Sequence, residues 1–164
     1  MVRIGVLSDT HLTALADAAV LAEYLSKGPF AGVDAILHAG DMVHPQLIDC
    51  FHPIPCYAVR GNMDEAVAGI PNKRVIGFEG KRIGLIHGWG LRSGLEGRVI
   101  AEFSDKQIDC LVFGHSHFPV CRQQGDLLLF NPGSPTDRRC APKHTVGMLT
   151  IDADGIRGEI IDLE

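Results

Sequence analysis

Seven residues of this chain pair metal-binding side chains with a common setting. "SDTH" supplies Asp9 and His11, "HAGD" supplies Asp41, and "RGN" supplies Asn62. "HG" supplies His87, and "GHSH" supplies His115 and His117. Each group ends an apolar run of strand length, usually beside a glycine. Asp and Asn offer oxygens, and the four histidines offer imidazole nitrogens. One catalytic zinc takes typically three protein ligands plus water. Seven donors therefore suit two ions, roughly 3.5–4 Å apart, that share a bridging carboxylate. Cysteine is absent from these loops, which argues against a structural thiolate zinc.

Taken singly, the pieces are ordinary. Asp9 alone reads as a cap on the following helix, and His87 alone as a core histidine. Gly125-Asp126 is another Gly-Asp pair, yet it falls in a hairpin turn and needs no metal. "GHSH" says more, because alternate residues share a side only in extended chain. It is the repetition at five strand ends that points to one site.

The elements that must carry these groups are legible as apolar runs. Strands are expected at Val2–Leu7, Val33–Leu37, Cys56–Val59, Arg74–Phe78, Arg82–Ile86, Cys110–Phe113, Leu127–Phe130, Val146–Ile151 and Ile156–Ile160. Helical spacing covers Leu12–Lys27, with Leu21 and Leu25 on one stripe and Ala16, Val20 and Tyr24 on another, before Gly28-Pro29. His44–Phe51 opens with Pro45 and groups Leu47, Ile48 and Phe51, while Leu95–Phe103 groups Leu95, Val99, Ile100 and Phe103. "FEGKRI", "QQGDLL" and "DADGIR" predict hairpin turns. The order is βαβα first and antiparallel pairs later. That predicts an α/β fold of two mixed sheets packed face to face with helices outside, in a single domain spanning 1–164. In such sheets functional groups gather beyond the carboxyl ends of strands.

Composition bounds the function. The chain has 164 residues, 46% hydrophobic and 21% charged, with a net charge of −5 and no basic run. Strong nucleic-acid binding is therefore not expected. Five cysteines without a CxxC pair predict reduced, mostly buried thiols in a cytosol. The first residues predict no signal peptide, and no apolar run approaches ~18 residues, so no membrane span is expected. A cytoplasmic protein follows as the expectation.

The series "SDTH", "GD", "GN", "H" and "GHSH" resembles the calcineurin-like metallophosphoesterase superfamily. "NPGS" at Asn131–Ser134 is similar to its small bacterial and archaeal phosphodiesterase branch. The resemblance implies a four-layer α-β-β-α fold and two divalent ions, manganese first, with iron, zinc or nickel as the other candidates. It implies one ion held by Asp9, His11, Asp41 and His117, and a second by Asp41, Asn62, His87 and His115, with Asp41 bridging. Asp41, Asn62 and His87 stand as the catalytic positions. The activity implied is hydrolysis of a small phosphate diester by a hydroxide that bridges the ions. A phosphomonoesterase acting on a nucleotide or protein phosphate is the alternative. A binding scaffold of the same fold, like the superfamily's retromer component, is disfavoured by the full ligand set. A homodimer is expected from the resemblance alone.

One residue departs from the pattern. Many members carry a proton-donating histidine directly after the Asn, where this chain has Met63, which has no titratable proton. That favours diesters with good leaving groups. Met63 could also simply pack under its loop. Asp64 reads first as a cap for a short helix Glu65–Ala68 and second as a partner orienting a histidine. Arg60, Arg138 and Arg139 read as solvated or ion-paired ahead of any phosphate contact. His38, His44, His52 and His144 are not assigned as ligands, His38 being structural or adjacent to the site. Asn131 and Ser134 are expected to shape a turn near it.

Overall fold

Alternation of apolar residues in Val2–Leu7 (β1) sends Val2, Ile4 and Val6 to one face of a sheet and Leu7 to the other. In the computed structural model, which describes residues 1–163, that first sheet also contains Ala35–His38 (β2) and Cys56–Ala58 (β3). β2 runs parallel to both β1 and β3. The second sheet consists of Lys73–Phe78 (β4), Lys81–Ile86 (β5), Cys110–Val112 (β6), Val120–Gln124 (β7) and Leu127–Asn131 (β8), and His144–Asp152 (β9) and Gly155–Leu163 (β10) build the other side of the first. The orders are β10-β9-β1-β2-β3 and β4-β5-β6-β8-β7.

Three apolar layers hold the sheets and helices together. The central one joins Ile4, Val6, Leu37 and Leu149 of the first sheet to Ile83, Leu85, Val112 and Phe130 of the second. Leu15–Lys27 (α1) covers the outside of the first sheet, and Leu95–Ala101 (α2) covers the outside of the second. This is the expected four-layer arrangement. The burial of Phe130 depends on two glycines, since a Cβ on Gly147 or Gly158 would stand 2.3 or 2.7 Å from its ring.

The departures from expectation have local causes. α1 starts at Leu15 because Leu12 bridges to Val43 and so extends the strand pairing of the loop that carries His11. Its buried stripe is Ala18, Ala22 and Leu25, whereas Ala16, Val20 and Tyr24 face solvent. His44–Phe51 forms two short 3₁₀ turns, Pro45–Leu47 and Asp49–Phe51, and still buries Leu47 and Phe51. Glu65–Ala68 is not helical. β7 is an edge strand whose Cys121, Arg122, Gln123 and Gln124 are exposed, so it leaves no apolar run. Cys121 and Cys140 are exposed, contrary to the expectation of mostly buried thiols. Among the described residues, no helix is long and apolar enough to cross a membrane.

Candidate metal centre

The carboxyl ends of β1, β2, β3, β5 and β6 meet at one edge of the two sheets, and all seven candidate ligands lie there. Main-chain hydrogen bonds lock the first two loops side by side: Asp9 N donates to Gly40 O at 2.9 Å and His11 N to Asp41 O at 2.9 Å. Gly114 N donates to His87 O at 2.9 Å and joins the loops of the second sheet. Two motif glycines are there because the loops approach so closely. A Cβ on Gly61 would stand 2.1 Å from Asp41 Oδ1, and one on Gly114 would stand 1.9 Å from Ser8 Oγ.

Each carboxylate spends one oxygen on the scaffold and turns the other inward. Asp9 Oδ2 accepts from Ser8 Oγ at 2.7 Å and from His115 N at 3.0 Å. Asp9 Oδ1 is buried without a hydrogen-bond partner, a costly state for a carboxylate oxygen. It lies 3.4 Å from His117 Nε2, 3.7 Å from His87 Nε2 and 4.0 Å from His11 Nε2. Asp41 Oδ1 accepts from Met63 N at 2.8 Å. Asp41 Oδ2 lies 3.2 Å from His87 Nε2 and 3.6 Å from His11 Nε2. Asn62 Oδ1 sits 3.1 Å from His87 Nε2 and 3.2 Å from His115 Nδ1.

Backbone carbonyls choose which imidazole nitrogen faces this cluster. Ala39 O takes His87 Nδ1 at 2.7 Å, Gly90 O takes His115 Nε2 at 2.8 Å, and Asp137 O takes His117 Nδ1. A carbonyl can only accept, so the bonded nitrogen carries the proton and its partner presents a lone pair. His115 Nδ1 and His117 Nε2 are thus free to bind a cation. Burial disfavours charged His87, but Asp41 and Asp9 outweigh it and raise the imidazole above its usual range, so His87 would give up its Nε2 proton to bind one. His11 Nε2 and His117 Nε2 stand 3.2 Å apart.

Electrostatics agree with a site for positive charge. Burial pushes the Asp9 carboxyl up to about 6, against the pull of His87. Burial also disfavours ionised Asp41, but the hydrogen bond and charge of His87 outweigh it and bring Asp41 down to about 2. Burial holds His115 and His117 below their usual range, which keeps them neutral and able to ligate. Backbone strain gathers here too. Asp9, His11, Asp41, His115 and His117 have φ of 54°, 46°, 55°, 69° and 58°, a region that side-chain-bearing residues rarely adopt. The orphaned oxygen, the oriented lone pairs and the hard O/N donor set fit divalent cations.

The supporting residues were harder to read. Asp64 is neither a helix cap nor a histidine partner. Its carboxylate accepts from the backbone N–H groups of Asp41 and Gly61 at 2.8 Å each and from Val43 at 2.7 Å, which ties two ligand loops together. Met63 does not pack under the loop, being 58% exposed. Arg60 Nε donates to Asp64 O at 3.0 Å, Arg138 to Ala141 O at 2.8 Å, and Arg139 pairs with Asp137 at 3.5 Å. His38 is buried between Thr10 Oγ1 and Gly40 N, as a structural residue. Asn131 and Ser134 do form the expected turn: Asn131 Nδ2 donates to Gly114 O at 3.1 Å, and Ser134 Oγ donates to Asp9 O at 2.8 Å.

This fold and cluster define a calcineurin-like phosphoesterase, and the chain belongs to that superfamily: residues 2–154 match its domain. A relative named probable metallophosphoesterase, from Methanothermobacter thermautotrophicus, is 37% identical over 163 residues, covering 96% of this chain and 91% of the relative. Phosphodiesterase YfcE of Escherichia coli is 31% identical over 141 residues, covering 81% of this chain and 71% of that protein. The solved structure of Chaetomium thermophilum Vps29 superposes with a TM-score of 0.72 at 22% identity, covering 98% of this chain and 94% of Vps29. At that identity the likeness concerns the fold alone.

Proposed function

We propose that this phosphoesterase is a metal-dependent phosphodiesterase with a two-ion centre. The observation that carries this is the convergence of the unpaired Asp9 Oδ1 and the inward Asp41 Oδ2 with imidazole lone pairs from both sheets. Asp9, His11, Asp41 and His117 would hold one ion, and Asp41, Asn62, His87 and His115 the other, manganese before iron, zinc or nickel. The position of Asp41 Oδ2, 3.6 Å from His11 Nε2 and 3.2 Å from His87 Nε2, supports the reading that the two ions would share it. Bound divalent ions would supply Lewis acidity toward the phosphoryl oxygens and acidify coordinated water.

The chain's own groups do the positioning. Ala39, Gly90 and Asp137 carbonyls fix the imidazole tautomers, while Ser8 and the Met63 N–H fix the carboxylates. Met63 offers the leaving group no proton. Losing such an acid costs roughly 10²–10⁴-fold, most severely for poor leaving groups. Diesters with good leaving groups are therefore favoured over unactivated monoesters, in line with the name of the E. coli relative.

The test is parallel hydrolysis of an aryl phosphodiester and its monoester by protein stripped of metal and reloaded with defined ions. Preference for the diester, and its loss in a folded Asp41→Ala variant, is the expected result. Preference for the monoester would replace the diesterase reading with a phosphomonoesterase. Inactivity toward both esters with every ion would favour a binding scaffold of the same fold.

A further inference from the structure

Beside the metal-binding cluster lies a cavity of about 480 Å³, inside the roughly 300–1,000 Å³ range of small-molecule sites. Asn62 and His87 form part of its wall, so an occupant of the cavity also reaches the proposed reaction centre. The rest of the lining includes Arg60, Asn72, Lys73 and Trp89.

Trp89 is the single tryptophan of the chain and is 43% exposed. Its loop is firmly held. Arg98 of α2 donates from Nε to Trp89 O at 3.0 Å, from Nη1 to Ser93 O at 3.1 Å and from Nη2 to Leu91 O. The neighbouring Gly90 carbonyl holds His115. The indole is thus carried by a loop fixed to α2 on one side and to a candidate metal ligand on the other. An aromatic wall held in place before binding loses little freedom when a ligand stacks on it.

The polar lining narrows the ligand class. Lys73 is occupied, its ammonium 2.8 Å from the Glu102 carboxylate and 2.9 Å from the Glu102 carbonyl. Arg60 uses Nε on Asp64 O, and among the described residues no carboxylate pairs with its guanidinium. Asn72 adds an amide that both donates and accepts. An aliphatic ester would leave the indole unused, and a plain aromatic ring would leave Arg60 and Asn72 unused. A flat ring with polar edges, joined to a phosphate, uses all of them.

We propose that this cavity seats the base of a nucleotide ester, stacked on Trp89 with its polar edge toward Arg60 and Asn72, while the phosphate lies at the metal cluster. This rests on the phosphodiesterase reading and names its substrate class. Trp89 is then a specificity-determining residue and takes no part in the chemistry.

The experiment compares two esters that release the same group, thymidine 5′-(p-nitrophenyl) phosphate and methyl p-nitrophenyl phosphate, on metal-loaded protein. The ratio of their kcat/KM values should favour the nucleoside ester, fall about tenfold in Trp89→Ala and recover in Trp89→Phe, as base–aromatic stacking does. Fluorescence excited selectively at tryptophan gives a second readout, because Trp89 is the chain's single tryptophan. Thymidine 5′-monophosphate should quench it saturably, and inorganic phosphate should not. An unchanged ratio in Trp89→Ala, or equal responses to the nucleotide and to phosphate, would overturn the proposal. If wild-type protein cleaves neither ester, the phosphodiesterase reading fails, and the fluorescence titration alone then decides for or against the base site.

Discussion

Asp9 carries the cost of this site at the scale of one residue. Its carboxyl is buried and raised from 3.8 to about 6. Between those values the folded chain keeps a proton that the unfolded chain releases, so this group lowers stability as pH rises through the window. Above about pH 6 the penalty is complete. Asp9→Asn removes it, because an amide nitrogen in place of Oδ1 can donate to the imidazole lone pairs that surround it. The metal-free variant should be more stable than the metal-free parent at about pH 8, by on the order of 1–3 kcal/mol, and the gain should vanish below about pH 4. Denaturant unfolding of chelator-treated proteins across that pH range measures it. A variant less stable at every pH would show that Asp9 is held by something other than a bound cation's charge. Residue types at strand ends were readable because their chemistry is carried by side chains. The carbonyls of Ala39, Gly90 and Asp137 were not, since every residue has a carbonyl and only the folded loop aims it.

Elements were legible where burial writes a period into the sequence, and obscure where it does not. β1, β4, β5 and β8 lie within a residue of the apolar runs that foretold them. β7 escaped because an edge strand with exposed side chains has no apolar run, although the Gly125 turn announced a partner for β8. The short helix expected at Glu65–Ala68 failed for a physical reason. Asp64, the residue that would have capped it, gives its carboxylate to three backbone N–H groups of the Asp41 and Gly61 loops. Asp64→Ala leaves those donors without partners in a largely buried place. The expected cost is about 2–4 kcal/mol of stability, with Asp64→Asn losing less. The denaturant midpoint should drop at unchanged slope. Metal-dependent hydrolysis should fall with it, as Asp41 and Asn62 lose their fixed spacing. A change below about 0.5 kcal/mol, the size usual for surface substitutions, would mean that the loops are tied by other contacts.

The whole molecule is two sheets whose strand ends share one cluster. Asp9, His11, Asp41 and Asn62 follow strands of the first sheet, and His87, His115 and His117 follow strands of the second. Below the cluster, the sheets are joined by side-chain packing that includes the Phe130 ring over Gly147 and Gly158, and by side-chain hydrogen bonds such as Cys121 Sγ to Gly158 O at 3.3 Å. Cations bound at the shared edge would therefore fasten one sheet to the other and stabilise the folded chain as a unit, since the unfolded chain has no such site. At an ion concentration of about 1,000 times the dissociation constant, the linkage is worth about 4 kcal/mol. For a chain of this size that is about 10 °C in melting temperature. Calorimetry of metal-loaded and chelator-treated protein should show one transition in each state, moved down as a whole by removal of the ions. Two transitions, one of them insensitive to chelator, would mean that the sheets unfold separately and that the site belongs to only one of them. The same pair of scans on Asp41→Ala separates the contributions, because a variant without the Asp41 carboxylate should keep its single transition and lose most of its response to metal.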